Sequence, residues 1–555
     1  MRASLVPVVL LAALTFFAGL GRGAITDSDE AFYAEAAREM VESGDWVTPY
    51  YNYEPRFQKP VLYYWLTAGA YAVAGTSEAA ARFWAAMAGL GLALLTAVAA
   101  RRWYDESTGL LAGAIAATSF GYFALGRMAL PDLPLAFFIT LAIWAAFVAT
   151  LEREDRPSRW VLLSALGVGL GFLMKGPLGL IIPVMVVVPM LLIERRSLNL
   201  TGRDVLTGAA VFAVVALPWY LVMWYVHGTA YLESFFLADN FERFATDRFN
   251  DPRPWWFYLP IAAGGLLPWS PHLLLWVGPM LGALTRRRDV GAIETRLVFW
   301  AVVPLIFFTL SVGKQPRYIL PILPPLAILL AATITERTRT WRGVGGGAFQ
   351  PRRSGGLVFT CLLSGALLVT LAGLLYRAQP LFINVPPIFT WVAVGVVGVS
   401  GLLVMAVSAS PAWRAAPWVL ALAAALSFPA AQWGALSAPG EEPVQQMARL
   451  VRAHRTGAEV AGSYQVFVRN LVFYTGVRQV DLINEEQLRG FVGSPDRVLV
   501  VLPEHALDAF EAAGGPRLIR LGDVRYFNEA GLRLRTLLWP DPERDITRVV
   551  LAANR

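Results

Sequence analysis

The sequence predicts an α-helical polytopic membrane protein that ends in a small α/β domain. Of its 555 residues, 56% are hydrophobic and only 16% are charged, and the mean hydropathy is +0.52. A bilayer permits this much apolar surface, whereas a water-soluble fold does not. Apolar stretches of about 20 residues, the length that crosses a bilayer, recur as far as residue 437 and then stop. These observations exclude a soluble multidomain enzyme and a disordered chain.

About thirteen apolar segments have the length and hydropathy of transmembrane helices. The first resembles a signal peptide, but no clear small-x-small cleavage site follows it and further spans do, so we interpret it as an anchor. The predicted spans are residues 4–21, 80–100, 109–126, 133–151, 160–174, 178–193, 206–227, 255–280, 296–312, 318–335, 357–376, 386–408 and 416–436.

Arginine residues are concentrated in alternate loops, and the positive-inside rule places those loops in the cytoplasm. If the first span begins on the cytoplasmic side, thirteen crossings put the first loop, residues 22–60, and the chain after residue 437 on the outer side of the cytoplasmic membrane. The short loops near residues 130, 175 and 314 fall on the same outer side. The arginines that decide this orientation are Arg101, Arg102, Arg153, Arg156, Arg159, Arg195, Arg196, Arg203, Arg286 to Arg288 and those of residues 337–353.

The chain is predicted to divide into a transmembrane domain, residues 1–437, and a soluble extracytoplasmic domain, residues 438–555. Short apolar runs at residues 459–464 and 497–502 and a helical pattern at residues 504–513 predict an α/β fold for the second domain. The glycine-rich residues 343–347 have the composition of a flexible linker within a basic cytoplasmic loop.

Outer loop 1 begins with an acidic cluster and continues as an amphipathic helix. Tyr33, Ala34, Ala37, Met40 and Val41 recur at helical spacing and predict the face that packs against the membrane domain. Within the acidic cluster, residues 26–30, Thr26 or Asp27 is expected to cap the helix, and the acids that follow favour its positive dipole end. A structural role for this cluster is therefore one interpretation. The aromatic residues 63–65 suit the membrane interface.

The other outer loops are short but carry ionisable side chains at the membrane edge. Taken singly, each side chain is explained by an ion pair or by snorkelling to the interface. Taken together, they put isolated acids and several bases on one side, which is the composition of a site that binds a phosphate-bearing lipid and carries out base chemistry beside it. These residues are Arg127, Asp132, Lys175, Lys314 and Arg317.

Several other kinds of chemistry are disfavoured by the sequence. The lone cysteine, Cys361, excludes an intrachain disulfide and a thiolate metal cluster. The four histidines are too scattered for a recognisable metal motif, and Walker A and GxGxxG nucleotide motifs are absent. The net charge of +7 comes from arginines distributed between apolar segments, so membrane topology explains it better than nucleic-acid binding.

Outer loop 1 resembles the first loop of aminoarabinose-transferase-like enzymes, which group with protein O-mannosyltransferases among the GT-C glycosyltransferases. The resemblance is carried by the run from Asp29 to Met40, Ser43-Gly44-Asp45-Trp46 and Phe57-Gln58-Lys59-Pro60. Shorter resemblances follow in the same order at Lys175-Gly176-Pro177, residues 254–258 and Lys314 to Pro321, so nearly the whole chain is covered.

The resemblance implies a polyprenyl-phosphate-linked sugar donor that is used outside the cytoplasmic membrane. It implies that Asp29 is the principal catalytic aspartate and that Asp132 is a second acid facing the same cavity. Transfer needs a base for the acceptor hydroxyl and cations for the departing phosphate. The residues expected to bind substrate are Glu30, Arg56, Lys59, Lys175, Lys314, Arg317 and Tyr318.

The chain departs from the resembled enzymes at their metal ligands. They carry a glutamate where Gln58 stands and a histidine in the loop that here reads Asn250-Asp251-Pro252-Arg253-Pro254. An amide is a weak ligand, whereas the Asp251 carboxylate suits a hard cation. A divalent cation bound by Gln58 and Asp251 is therefore the only cofactor that the resemblance leaves open, and the identity of the sugar does not follow.

We interpret the chain as a glycosyltransferase that moves a sugar from a polyprenyl phosphate to an extracytoplasmic lipid, glycan or protein. The first alternative is a membrane transporter or lipid flippase, because charged residues in spans can line a translocation path. Clustering of the ionisable residues at one face and the absence of evident inverted repeats speak against it. A second alternative is a non-catalytic membrane scaffold whose terminal domain binds partners.

Overall fold

The structure is a computed structural model that describes most of the 555 residues. The residues outside its description are 1–3, 152–156, 195–199, 243–245, 247–252, 277, 279–290, 340, 343–347, 350–352, 438–439, 458 and 529–532. The predicted metal ligand Asp251 and the predicted linker at residues 343–347 lie among them, as do several of the arginines that determine the predicted orientation.

The membrane domain is a bundle of apolar helices. Nine helices in the described part of the chain are long and apolar enough to cross a membrane, and a tenth span forms if the pair Glu106–Ala117 and Phe120–Gly126, bent by 54°, is counted as one. Two shorter apolar helices are Val6–Phe17 and Leu178–Glu194. The nine are Glu78–Trp103, Asp132–Thr150, Ser158–Lys175, Gly202–His227, Ala292–Leu310, Pro316–Thr338, Gly355–Leu381, Pro387–Ala409 and Trp413–Ala435.

The count of thirteen spans is not confirmed, although each of the nine long helices coincides with a predicted one. The first predicted span contains a helix of only 12 residues. The predicted span at residues 255–280 is interrupted: helix Tyr258–Gly265 ends before the short helical turn Ser270–His272. Proline lacks the backbone N–H that continues a helix, and Pro268 and Pro271 stand at this break.

The first loop folds as a helix, a hairpin and a second helix. The loop-1 helix spans Asp29–Ser43, and its buried face contains Tyr33, Ala34, Ala37 and Met40 as predicted, whereas Val41 is exposed. The prediction that Thr26 or Asp27 caps it is wrong, because the Ser28 hydroxyl accepts the N–H of Glu30 at 3.3 Å. The loop continues through the short strands Tyr50–Tyr51 and Glu54–Pro55 into helix Leu62–Ala74.

The two ends of the helix bundle carry separate sets of ion pairs. Helix Glu78–Trp103 presents Arg82 to loop 1 near its start and Arg101 to the loop at its other end. At that far end, Arg296 pairs with Glu194 at 2.8 Å. This arrangement agrees with loops that alternate between two sides of a membrane.

The C-terminal region, residues 443–553, is an α/β unit with a mixed five-stranded sheet. In spatial order the strands are Gln479–Leu482, Ala461–Tyr464, Leu499–Pro503, Ile546–Ala553 and Ile519–Phe527. The first three run parallel, and the last two pair antiparallel with their neighbours. Its helices are Pro443–His454, Leu471–Thr475, Glu485–Val492, Glu504–Ala512, Leu534–Leu538 and Pro542–Asp545.

Candidate active site

Four charged side chains from four separate segments meet beside the start of the loop-1 helix. Lys175 ends one membrane helix and its Nζ lies 2.5 Å from Oδ1 of Asp132, the first residue of another. Arg317, in the helical turn Pro316–Ile322, donates from Nη2 to Asp29, and its Nε lies 3.5 Å from Oδ2 of Asp132. We call Asp29, Asp132, Lys175 and Arg317 the ion cluster. These residues were all selected from sequence, and the structure brings them together.

Within the ion cluster, exposure increases from Asp132 to Asp29. The side chain of Asp132 is 5% exposed and that of Lys175 is 10% exposed, whereas Asp29 is 44% exposed. Two acids balance two bases, which lowers the cost of holding charge at the membrane edge. Because Asp29 is the open member, it is the carboxylate that an incoming molecule meets.

The cations of the site keep Asp29 ionised. Burial raises the pKa of Asp29, but the positive charge of Arg317 and its hydrogen bond outweigh burial and hold the pKa below its usual range. Lys175 and Arg56 contribute in the same direction. A carboxylate in this state accepts protons or hydrogen bonds at neutral pH, which is the property of a base rather than of an acid.

A small cavity adjoins the ion cluster. Its polar wall is formed by Asp132, Lys175 and Arg317, whereas its remaining wall is largely apolar. Tyr318 lies between the polar and the apolar wall, and its ring centroid is 5.1 Å from Nζ of Lys175. The site therefore pairs fixed charges with a hydrocarbon surface. The other lining residues are Leu135, Ile139, Leu178, Ile182, Phe308 and Pro321.

Arg56, another residue selected from sequence, stands at the edge of this site. Its guanidinium lies over the ring of Phe32 at 4.0 Å, and its Nε donates to the hydroxyl of Tyr64 at 3.2 Å. Phe32 is three residues from Asp29 and lies on the same side of the loop-1 helix. These contacts fix Arg56 near enough to Asp29 to stabilise its charge.

Glu30, predicted to bind substrate, is instead a buried structural anchor. Its side chain is fully buried, and Oε1 lies 2.8 Å from Nε of Arg82. Its two oxygens also accept the backbone N–H groups of Thr26 and Ala129, each at 2.9 Å. Burial raises the pKa of Glu30, but the Arg82 charge and these hydrogen bonds outweigh it and lower the pKa. A carboxylate so fully occupied has no position left for a substrate.

Two of the lysines selected from sequence have protein partners of their own. Lys59 forms an ion pair with Asp239, whose side chain is 3% exposed. Lys314 donates to the backbone carbonyl of Ser311, three residues earlier, and is 8% exposed. Lys314 therefore serves as a hydrogen-bond donor within its own loop.

Asp239 is a buried acid that no motif in the sequence marks. It lies in the π-helical segment Glu233–Glu242, in a stretch where the sequence shows no motif. The same segment also contains Glu233 and Glu242, so its sequence does not single out Asp239. Arg127, grouped with the site from sequence, donates instead to the carbonyls of Phe16 and Gly19 at 3.1 and 3.0 Å.

Only one of the two predicted metal ligands lies within the described part of the chain. No group of three or more His, Cys, Asp or Glu side chains is arranged there to hold a metal ion. Gln58 is exposed and offers only an amide oxygen, and Asp251 lies outside the described residues. His227, the last residue of helix Gly202–His227, contacts the hydroxyl of Thr48 at 2.8 Å and so attaches the first loop to this helix.

Residues 9–231 match the dolichyl-phosphate-mannose-protein mannosyltransferase family. Undecaprenyl phosphate-α-4-amino-4-deoxy-L-arabinose arabinosyl transferase of Pseudomonas aeruginosa is 36% identical over 383 residues, which are 66% of each chain. Undecaprenyl phosphate-α-4-amino-4-deoxy-L-arabinose arabinosyl transferase 2 of Proteus mirabilis is 33% identical over 336 residues, 60% of each chain. The chain thus spans less than two thirds of the length of these curated relatives.

Solved structures extend the similarity in fold to the whole chain. Crystal structures of ArnT from Cupriavidus metallidurans superpose with TM-scores of 0.73, bound to undecaprenyl phosphate, and 0.74, in the apo state. Both are 20% identical and cover 99% of this chain and 98% or 97% of that chain. The oligosaccharyltransferase AglB of Archaeoglobus fulgidus has a TM-score of 0.52, with 14% identity and coverage of 87% and 64%. The chain is a multi-pass membrane protein with this shared fold.

Proposed function

On the premise that the chain is an aminoarabinose-transferase-like membrane protein with the GT-C fold, we propose that it transfers a sugar from a polyprenyl phosphate to an acceptor. The observation that carries the proposal is the ion cluster beside a cavity with one charged and one apolar wall. A lipid-linked phosphate needs both surfaces, cations for the headgroup and hydrocarbon contacts for the chain.

In this proposal Lys175 and Arg317 bind the donor phosphate. The lysine side chain has three hydrogen-bond donors and the arginine side chain has five. Both can therefore contact phosphate while keeping a hydrogen bond to a carboxylate. Asp132 lies between them and keeps each cation in place. Undecaprenyl phosphate is the lipid in the names of the Pseudomonas relatives and in one ArnT crystal structure, which makes it the donor lipid to test first.

Asp29 acts on the acceptor. Its carboxylate takes the proton of the acceptor hydroxyl as the hydroxyl oxygen bonds to the anomeric carbon of the sugar, and the bond from that carbon to the phosphate oxygen breaks. The electron pair stays with the phosphate, whose charge Lys175 and Arg317 stabilise. The exposure of Asp29 supports this role, since the other carboxylate of the cluster is closed off by its partners.

We place the site on the extracytoplasmic side of the cytoplasmic membrane. The support is the arginine excess in loops at the opposite end of the helices, together with the contact between loop 1 and the C-terminal region. Reporter fusions after Arg56 and Arg555 should both report an outer location, and a fusion after Arg102 should report a cytoplasmic one. A cytoplasmic signal at Arg555 would contradict this orientation.

A divalent cation is not required for the step proposed here. The support is chemical, because the exposed amide of Gln58 is a weak ligand and the ion cluster contains two cations, Lys175 and Arg317, to which we assign the phosphate. Turnover after treatment with a chelator should fall less than in relatives that keep a glutamate and a histidine as ligands. Complete inhibition that is reversed by a divalent cation would contradict this point.

The direct test is sugar transfer by purified full-length protein in lipid nanodiscs. Undecaprenyl-phosphate aminoarabinose is the first donor, and mass spectrometry of envelope lipids, glycans and glycoproteins from cells with and without the gene supplies the acceptor. We expect a glycoform that disappears with the gene and reappears with the purified protein. Identical glycoforms in both cells, with no transfer in nanodiscs, would contradict the proposed function and favour a transporter or a scaffold.

A further inference from the structure

The start of the loop-1 helix is attached to the C-terminal region by a set of hydrogen bonds. The carboxylate of Asp27, two residues before Asp29, accepts the backbone N–H of Arg469 at 2.8 Å and that of Val468 at 3.2 Å. These bonds join residues more than 440 positions apart in the chain, at the turn that begins the helix. The chain two residues before Asp29 is therefore attached to a segment of the C-terminal region.

Ile25 supplies a second, buried attachment. Its carbonyl accepts the side-chain amide of Asn470 at 2.9 Å, and its N–H donates to the hydroxyl of Tyr474 at 2.7 Å. That hydroxyl donates in turn to Glu78, at the start of a membrane helix. Ile25 is 0% exposed and Asn470 is 3% exposed, so these bonds are protected from water.

The segment that makes these contacts has an unusual backbone. Gln465 and Phe467 have φ angles of 62° and 53°, in the left-handed region that non-glycine residues seldom adopt. Such residues cost about 1–3 kcal/mol each and persist only where their surroundings determine them. Phe467 is held by stacking on Tyr526, with ring centroids 5.3 Å apart. Backbone conformations of this kind concentrate at functional sites.

We propose that residues 465–470, which we call the positioning loop, form part of the catalytic machinery by fixing the start of the helix that carries Asp29. Asp27 and Asn470 are the positioning residues. The loop holds the chain immediately before Asp29 from one side, and Arg317 holds the Asp29 carboxylate from the other. This inference rests on the proposed function, because it assigns a role in sugar transfer.

The contacts of the positioning loop differ from the others between loop 1 and the C-terminal region. Asn52 in the hairpin exchanges two hydrogen bonds with the backbone of Gln479, and Glu54 forms an exposed ion pair with Arg478. These contacts hold the C-terminal region in place but lie more than twenty residues from Asp29 in sequence. They supply control variants that loosen the same interface without touching the helix start.

The experiment compares Asp27→Ala, Asp27→Asn, Asn470→Ala and the control Arg478→Gln in the full-length protein. A displacement of the base by about 1 Å costs on the order of 100-fold in rate, so we expect kcat of Asp27→Ala and Asn470→Ala to fall by about 10- to 100-fold with the donor KM unchanged. Asp27→Asn keeps an acceptor oxygen for the Arg469 N–H and should retain most of the activity. Arg478→Gln should match the wild type.

A purely structural role for these contacts gives a different result. It predicts that Asn470→Ala lowers the Tm without a specific loss of kcat, which would overturn the proposal. A kcat of Asp27→Ala equal to that of Arg478→Gln would also overturn it. Asp27 is exposed, so its replacement leaves the fold intact even if Asn470→Ala fails to fold.

A readout that does not depend on sugar transfer separates this inference from the proposed function. Amide hydrogen exchange in the first two turns of the loop-1 helix should accelerate in Asp27→Ala and Asn470→Ala and stay unchanged in Arg478→Gln. If the wild type transfers no sugar, the proposed function fails, and unchanged exchange in the variants shows that the positioning loop does not fix the helix start. Faster exchange supports the attachment whatever reaction the site performs.

Discussion

Asp29 and Glu30 are adjacent acids at the start of one helix, yet they belong to two different charged regions. Glu30 is fully buried and its carboxylate accepts from Arg82 and from two backbone N–H groups. Asp29 is 44% exposed and accepts from Arg317 beside a cavity. Successive residues of an α-helix point about 100° apart, so neighbours in sequence face different surroundings.

The difference shows how a structural carboxylate is distinguished from a reactive one. Glu30 closes the junction between loop 1 and the membrane domain, because Arg82 also donates to the backbone carbonyls of Gly23 and Ala24 at 2.9 and 2.8 Å. The Glu30 carboxylate and the Arg82 guanidinium are both hydrogen-bonded at every polar atom, which favours rigidity. In the ion cluster one carboxylate stays accessible, which leaves room for a substrate to complete it.

The largest effect on stability is expected when the Glu30 anchor loses its partner. Arg82→Ala leaves a buried carboxylate without its counter-charge, which typically costs about 3–5 kcal/mol of unfolding free energy. Thermal unfolding of the detergent-solubilised protein measures this loss of stability. The exposed pair of Arg478 and Glu54 is the matched control, since pairs of that kind contribute about 1 kcal/mol or less. Equal Tm values for Arg82→Ala and Arg478→Ala would refute the assignment of Glu30 as an anchor.

A smaller effect, on binding rather than on folding, is expected in the ion cluster. Arg317→Ala removes a charge-assisted contact to phosphate, and such contacts contribute about 1.5–3 kcal/mol, which corresponds to a loss of undecaprenyl-phosphate affinity of about 10- to 150-fold. Lys314→Ala is the control, because Lys314 donates to the carbonyl of Ser311. Titration of both variants with undecaprenyl phosphate in nanodiscs decides the point. An affinity equal to that of the wild type in Arg317→Ala would remove this arginine from the phosphate site.

The smallest change is a shift in the pH dependence of transfer. The Arg317 charge lowers the pKa of Asp29, so the ionised base persists to more acidic pH than an isolated carboxylate would. Without Arg317 the pKa rises, and the acid limb of the kcat profile should move to higher pH. Residual activity of Arg317→Lys, which keeps a positive charge, should show a smaller displacement. An acid limb that stays at the wild-type pH in Arg317→Ala would indicate that a group other than Asp29 controls it.

The sequence was sufficient to select the members of the ion cluster. Asp132, Lys175 and Arg317 stand at the ends of apolar segments, where charge is costly and therefore informative, and alternation of the loops put them on one side with Asp29. Two of the five strands of the C-terminal region, Ala461–Tyr464 and Leu499–Pro503, and the helix Glu504–Ala512 followed from short apolar runs and a helical pattern. Local patterns of this kind are properties of the segment itself.

Pairings between distant segments were beyond sequence reasoning. Nothing near Glu30 indicates that it pairs with Arg82, 52 residues away, or that Lys59 pairs with Asp239. The count of thirteen spans is not confirmed, because hydropathy averaged over residues 255–280 does not show that helix Tyr258–Gly265 ends before Pro268. The cap at Ser28 was missed because several residues of the acidic cluster have a suitable side chain.

The most direct test of the account compares the two adjacent acids in one experiment. Asp29→Asn and Glu30→Gln are near-isosteric, and turnover and Tm are measured for each in the same nanodisc preparation. We predict that Asp29→Asn lowers turnover by about 100- to 10,000-fold, as loss of a general base does, with the Tm unchanged, whereas Glu30→Gln lowers the Tm. Turnover of Asp29→Asn at the wild-type rate would contradict the central claim that Asp29 is the base of a glycosyl transfer.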